Sequence, residues 1–560
     1  MKNLRIVVAV AVATLSVMLA LPATAGTFSG TINNSDGSPL QGVMIRVSHA
    51  DSGMSETIFS DTQGKFRLAT ALHGALHVRL RTPYYRDLET DIDLAVDADV
   101  NQALVMERMT SDVEISDSLP AAYHFGSLNF ESGDDAPFNR YQFQRDCLSC
   151  HQLGNALTRA PRSADRWHQT IQRMHRYMGG NYDYAMRQRR AVMLSDGFNG
   201  KPVSVRPKFP LDPALSDATI YEYRLTRGNP HDAIVHPQTG IIYSADQIGS
   251  HFAVTDTSTG KSEYISQSGN GNRYRVPGST TGEIDSFSSY TRNAPHSMAL
   301  GLDGKYYVTN TATNTIGVFN PETNEWEPSY VIGGGARYPH TIRIDKQGIA
   351  WFTISGSDMV GRLDPVSGES TVIHLPFAAS RGGTRGTWTY GIDINPKDGS
   401  IWYGRLFADR IGRIDPKTLE VREFDSPMRG PRRMQFDNSG TLWVAGFAEG
   451  SLARIQPTAD GFDSRVYPMP EFADGYRPAP YALGVHPQTQ DIWLNETMTD
   501  RLFRFIPSEE RFIAYPVPLR GTYTRDFSFT PDGKACTSNN PFPLASLEGG
   551  VSEILCIKLN

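Results

Sequence analysis

Cys147-Leu148-Ser149-Cys150-His151 is the stretch of this 560-residue chain whose residue types and spacing are most specific for chemistry. Two thiols separated by two residues reach the two vinyl groups of a haem, and a histidine directly after them approaches the iron as proximal ligand. A thioredoxin-type dithiol would need a βαβ context and a zinc site a second cysteine pair, and neither is present. The spacing therefore predicts covalently bound haem c on Cys147 and Cys150, with His151 on the iron.

A second set of residues recurs at one position of successive repeats. "NPHDAI", "APHSMA" and "YPHTIR" supply His231, His296 and His340; later repeats place Tyr390, Arg432 with Arg433, Tyr481 and Arg525 there. Three neighbouring imidazoles bind a first-row metal such as Zn, Cu or Fe, or carry protons in an oxidation. Pro-His as a packing consensus is the plainer alternative. The arginines and tyrosines opposite suit an anionic or phenolic substrate.

These residues need elements to hold them. From about residue 218 the chain repeats with a period of roughly 40 to 55, the range of propeller blades. Seven units are expected, with outer strands beginning near Ile220, Ser262, Trp326, Ser370, Val421, Ser464 and Arg511. Each unit buries its faces only against neighbours, so the repeats should close into a ring over residues 218–560, with the recurrent position at one channel mouth. Residues 27–107 alternate apolar and polar between Gly, Pro, Asp and Asn turns, as a small antiparallel sandwich does. Residues 108–140 lack periodicity and read as a connector. Residues 141–205 hold the helices: "ADRWHQTIQRMHRYM" sets Trp167, Ile171, Met174 and Met178 on one stripe, and "YDYAMRQRRAVML" follows. The fold class expected is multidomain and mainly β: sandwich, short α-helical haem domain, seven-bladed propeller.

Three resemblances refine this. "DGSPLQGVMIRV" and "SDTQGKFRL" resemble the carboxypeptidase regulatory-like (transthyretin-like) domain, which implies a folding or docking module. "RWHQTIQRMHRYMGG" resembles the W-x-x-T-V/I-x-x-M segment of cytochrome c domains, which implies Met174 as sixth haem ligand; Met178, His175 or an open site are the alternatives. "AWFTISGSDMVGRLDP" and its sister copies resemble the virginiamycin B lyase (streptogramin lyase) propellers. That family implies metal-assisted elimination by channel-facing His and Glu, matched here by His231, His296, His340 and by Glu496 in "IWLNETM". The last unit departs from it, with Arg525 and Ser538 where the family has His and Glu.

Lys2 and Arg5 precede an apolar run ending in Ala23-Thr24-Ala25, which reads as a signal peptide (residues 1–25) and predicts a periplasmic or secreted protein with no membrane span after cleavage. Cys536 and Cys556 lie in neighbouring strands of the last unit and are expected to pair there. The net charge of -6, with both signs interspersed, gives no field for nucleic acid. The function expected is a haem c-linked oxidoreductase, with a small-molecule substrate or second metal in the channel and a periplasmic electron acceptor or donor as partner. Lyase-like elimination with an accessory cytochrome, and an electron carrier with a docking propeller, are the alternatives.

Overall fold

The computed structural model describes residues 25–49, 51–130, 138–178, 182–267, 274–275, 283–284, 292–381, 386–473 and 475–560. The protein is mainly β, with a small N-terminal β domain, few helices and a seven-sheet propeller. Nearly all of the expected signal peptide lies outside the described residues. Among the described residues no helix is long and apolar enough to cross a membrane.

The N-terminal domain packs a three-stranded sheet (Lys65–Thr70, Gly26–Asn34, Asp99–Met106) on a second sheet formed by Met54–Phe59, Met44–Ser48, Gly74–Arg81 and Leu88–Leu94. The alternation read from the sequence is visible in Lys65–Thr70, whose residues are exposed and buried in turn. Phe28, Ile45, Val47, Leu68, Val78 and Leu80 fill the space between the sheets.

Each propeller blade contains four antiparallel strands running outward from a buried inner strand, the second blade extended by the short strands Tyr274–Arg275 and Glu283–Ile284, the first of which pairs parallel with Glu325–Val331. The inner strands are Pro230–Val235, Pro295–Leu300, Pro339–Ile344, Thr389–Ile394, Pro431–Phe436, Pro480–Val485 and Thr524–Phe529. Each contacts the next, and the last returns to the first, so the ring is closed. Closure has a second lock: Ala218–Arg224, the strand at Ile220, is the outer strand of the last blade and pairs with the C-terminal strand Glu553–Leu559. Cys536 and Cys556 face one another in that blade and are disulfide-bonded.

Ala218–Arg224 also pairs on its free edge with Met54–Phe59. The last blade and one sandwich sheet are therefore a single eight-stranded sheet. This removes two sheet edges that would otherwise present unpaired backbone groups. Arg79 and Arg81 reinforce the junction by bonding Glu548 at 3.0 and 2.7 Å.

The region between sandwich and propeller is more ordered than its lack of periodicity suggests. Helices α1 (Asp112–Ser118) and α2 (Ala121–Phe125) form within residues 108–140. They are too short to show a repeating pattern; tertiary packing of Leu119, Tyr123 and Phe125 holds them. Helices α3 (Arg140–Cys147), α4 (Ala164–Met178) and α5 (Tyr184–Gly197) follow. In α4 the buried stripe is Trp167, Ile171 and His175, while Met174 is half-buried.

Candidate functional site

Every inner strand carries a β-bulge at the same place. In the first blade Asp246 pairs with Pro230 and Ser244 with Ala233, so His231 and Asp232 together oppose Ala245. The same shift sets apart His296-Ser297, His340-Thr341, Tyr390-Gly391, Arg432-Arg433, Tyr481-Ala482 and Arg525-Asp526. A bulge re-aims side chains by breaking the ladder for one residue. Proline before five of the seven pairs suits a strand start, where its missing N–H breaks no ladder bond.

The first residues of the seven bulges meet. The imidazole of His231 lies 3.6 Å from that of His296 and His296 lies 4.2 Å from His340, centroid to centroid. His340 abuts Tyr390 at 4.0 Å. The hydroxyls of Tyr390 and Tyr481 share a hydrogen bond of 2.8 Å, and an Arg432 nitrogen donates to Tyr390 Oη at 2.8 Å. The circle is completed by Tyr481 Oη, 3.4 Å from His231 Nε2, and by Arg525, whose guanidinium stands 5.0 Å from the Tyr481 ring. All seven are buried. The second bulge residues add an ionic layer, in which Arg433 bonds Asp232 at 2.9 Å and Asp526 at 2.7 Å.

Burial, reinforced by Arg525, pushes His231 down to about 3, and burial holds His296 and His340 well below the imidazole range. The three rings are therefore neutral, with lone pairs for a metal or a proton. Asp232 Oδ1 receives His231 Nδ1–H at 2.8 Å, leaving the lone pair on Nε2, which faces Tyr481 Oη at 3.4 Å. The two hydrogen-bonded tyrosines are pushed apart. Burial raises Tyr390; at Tyr481 burial is outweighed by Arg525, Arg432 and Arg433, which hold its phenol below the ordinary range. Such a split favours Tyr390 as the donor and Tyr481 as the acceptor of the hydrogen bond they share.

The C-x-x-C-H stretch lies across this ring. Tyr523 Oη donates to the Leu148 carbonyl at 2.5 Å, the Phe542 amide to the Cys150 carbonyl at 3.0 Å, and Gln152 to Asp500 at 2.7 Å and the Thr522 carbonyl at 2.9 Å. Leu148 and Leu153 share an apolar cluster with Tyr390, Phe447, Tyr481 and Tyr523. Cys147 and Cys150 are half-buried free thiols. His151 Nδ1 lies 2.8 Å from the Gln152 carbonyl; a carbonyl only accepts, so Nδ1 carries the proton and Nε2 keeps its lone pair. Two free thiols and a neutral imidazole with Nε2 available form the donor set that a covalent haem needs.

Residues 266–460 match the virginiamycin B lyase family and residues 27–107 the carboxypeptidase regulatory-like domain. The propeller is virginiamycin B lyase-like. The solved virginiamycin B lyase of Staphylococcus aureus is 17% identical, the alignment covering 61% of this chain and 100% of that one, with a TM-score of 0.48. A streptogramin B lyase structure is also 17% identical over 61% and 98%, TM-score 0.48. Hydrazine synthase of Kuenenia stuttgartiensis is 14% identical over 60% and 98%, TM-score 0.43. No curated protein matches the chain.

Within this virginiamycin B lyase-like ring, His231, His296, His340 and Arg525 come together as the repeat position requires. Glu496 has other partners. Its carboxylate accepts from the amides of Met498 at 2.5 Å and Thr499 at 2.7 Å, which makes it the cap of its own turn. Ser538 Oγ donates to the His231 carbonyl, supporting that backbone. Met174 lies on α4, and the side chain of Met178 lies outside the described residues. Sequence reasoning passed over Asp232 and Asp526, although each directly follows a ring residue, and Tyr523, two residues before Arg525.

Proposed function

We propose that this chain is an exported c-type haem oxidoreductase whose propeller ring takes an anionic or phenolic small molecule. Cys147 and Cys150 would hold the haem and His151 Nε2 would ligate it, in a cytochrome c-like region of residues 141–205. When bound, haem c supplies a one-electron couple. The chain's own residues do the rest. Arg432 and Arg525 attract and orient the anion. Tyr481, its phenol held low by Arg525, Arg432 and Arg433, gives its own proton to Nε2 of the neutral His231, 3.4 Å away and fixed by Asp232, and the phenolate then takes the proton of the substrate. The C-x-x-C-H segment lying over the ring excludes water.

The observation that carries this reading is Tyr523, which donates to the Leu148 carbonyl at 2.5 Å while its ring packs 5.5 Å from that of Tyr481. One side chain joins the thiol-bearing segment to the ring, a coupling that elimination chemistry does not call for. The test is anaerobic mixing of the oxidised, haem-loaded protein with a panel of phenols and organic acids, reading haem reduction optically. Reduction by a donor that is lost in Tyr481→Phe supports the reading. A purified protein with the mass of the bare polypeptide overturns it.

A second reading has its own support: ligand atoms of His231, Asp232 and His296 lie within 4.8 Å of one another. A first-row ion there would be held by two neutral imidazoles and a carboxylate. Its cost is repulsion from Arg432 and Arg525. Metal analysis of the purified protein separates the two.

A further inference from the structure

Buried guanidiniums are ordinarily paired, because an uncompensated charge away from water is costly. Most in this protein conform: Arg433 has Asp232 and Asp526, Arg145 has Asp409, Arg190 has Asp146 and Arg405 has Glu423. Arg432 and Arg525 have no ion-pair partner among the described residues. Arg432 spends one nitrogen on Tyr390 Oη; its Nε and Nη1 have no hydrogen-bond partner among the described residues. It is held instead by aromatic faces, 3.9 Å from the Tyr481 ring, 4.1 Å from Phe447 and 4.6 Å from Tyr390. Among the described residues the Arg525 guanidinium donates only to the side chain and carbonyl of Asn540, 2.7 and 3.5 Å away, and it lies 4.3 Å from the Tyr523 ring.

Their location gives this unpaired charge a use. Tyr523, beneath Arg525, bonds the carbonyl of Leu148, which stands between Cys147 and Cys150. Arg432 lies 3.9 Å from the Tyr481 ring, which packs 5.5 Å from that of Tyr523, so both cations stand on the aromatic group that touches the thiol-bearing segment. Among the other charges of the neighbourhood, Asp146 pairs with Arg190, and Asp232 and Asp526 share Arg433, Asp526 also lying 3.8 Å from Arg343; Asp500, which accepts from Gln152, has no ion pair among the described residues.

We infer that Arg432 and Arg525 are redox-tuning residues: two uncompensated cations that hold up the reduction potential of a haem attached at Cys147 and Cys150. Adding an electron lowers the positive charge at the iron, so a fixed cation nearby favours the reduced form. The water-excluded setting keeps that field from being screened. The inference rests on the haem reading above and assigns these side chains a positioning role for charge, separate from any contact with substrate.

The test is an optical redox titration of the haem-loaded, full-length protein between dithionite and ferricyanide. In Arg432→Met and in Arg525→Gln, the ratio of reduced to oxidised haem at a fixed potential should fall at least tenfold, a downward shift of about 59 mV for a one-electron couple. Arg432→Lys, which keeps the charge, should stay near the wild type, and Arg422→Gln on an exposed outer strand should not move. Arg525→Gln retains a donor for Asn540, so one neutral variant preserves the local bonding if Arg432→Met does not fold. Haem-loaded neutral variants with the wild-type midpoint overturn the inference alone, as does a shift in Arg432→Lys equal to that in Arg432→Met. Absence of haem mass in the wild type overturns the reading beneath it.

Discussion

Tyr523 reaches from the start of the last inner strand to donate its hydroxyl to the Leu148 carbonyl, a bond of 2.5 Å between residues 375 positions apart. With the Phe542 to Cys150 backbone bond it fixes where the C-x-x-C-H segment sits on the ring. Tyr523→Phe keeps the ring packing and leaves a buried carbonyl without this donor, at about 1–3 kcal/mol. The expected outcome is faster amide hydrogen exchange over residues 145–152, with exchange in the propeller strands unchanged. Equal protection in the variant would show that the bond does not hold the segment.

Cys147, Cys150 and His151 predict one haem mass that survives denaturation of the mature protein. If Met174 is the second axial ligand, the oxidised protein should show the weak near-infrared sulfur-to-iron band, lost in Met174→Ala and kept in Met178→Ala. The reverse moves the role to Met178. A wild type without the band points to His175, which is buried with neither ring nitrogen hydrogen-bonded, or to an open position.

How much of this was legible in the sequence follows from period and punctuation. The seven outer strands fall where the turn signals put them because each blade repeats one pattern and closure forces all seven to agree. The convergence of His231, His296 and His340 was legible for the same reason, since equivalent positions in a ring must meet. The bulge was not: the extra residue is defined by a partner strand, and only pairing shows that His296 and Ser297 both oppose Thr309. Nor was the shared sheet, because neither Met54–Phe59 nor Ala218–Arg224 signals its partner across more than 160 positions. The role given to Glu496 came from a family pattern, and the local Glu-Thr-Met-Thr turn supplies a competing use for the carboxylate.

The three histidines should matter to function more than to folding. Single alanine variants of His231, His296 and His340 leave each blade's apolar faces intact, so loss of stability should stay near ~1 kcal/mol, typical of an ordinary substitution. Metal content or substrate-driven haem reduction should fall far more steeply. Wild-type values for both quantities in all three variants would reduce these residues to packing.

Glu56 predicts a pH dependence at the junction of sandwich and propeller. It stands opposite Tyr221 in the shared sheet, and burial pushes its carboxyl up to about 7 from the usual 4.5. Because the folded form binds the proton more tightly than the unfolded chain, its contribution is full below pH 4.5 and is lost as pH rises through 7. That contribution is on the order of 3 kcal/mol. Thermal unfolding from pH 5 to pH 8 should therefore fall more steeply in the wild type than in Glu56→Gln, which stays neutral throughout. Identical slopes would place the titration elsewhere, Glu496 being the other carboxyl pushed up to about 7.

The ring's geometry also depends on a residue with no side chain. Gly391 is the second bulge residue of its blade, and a Cβ there would lie 2.3 Å from the Arg432 carbonyl oxygen and 2.8 Å from the Arg433 Cα. Both obstacles are backbone of the neighbouring inner strand, so no rotamer change relieves the contact. Gly391→Ala must therefore push apart the two strands that carry Tyr390 and Arg432, at about 1–3 kcal/mol for overpacking. A melting temperature several degrees below the wild type is expected, together with weakened organic-anion binding, because the 2.8 Å bond between Arg432 and Tyr390 spans that contact. Gly333→Ala is the control: a Cβ there meets nothing within 4 Å and its backbone is not left-handed, so melting should be unchanged. If Gly391→Ala melts with the wild type, the two bulges are not in the tight register that brings the seven ring residues together.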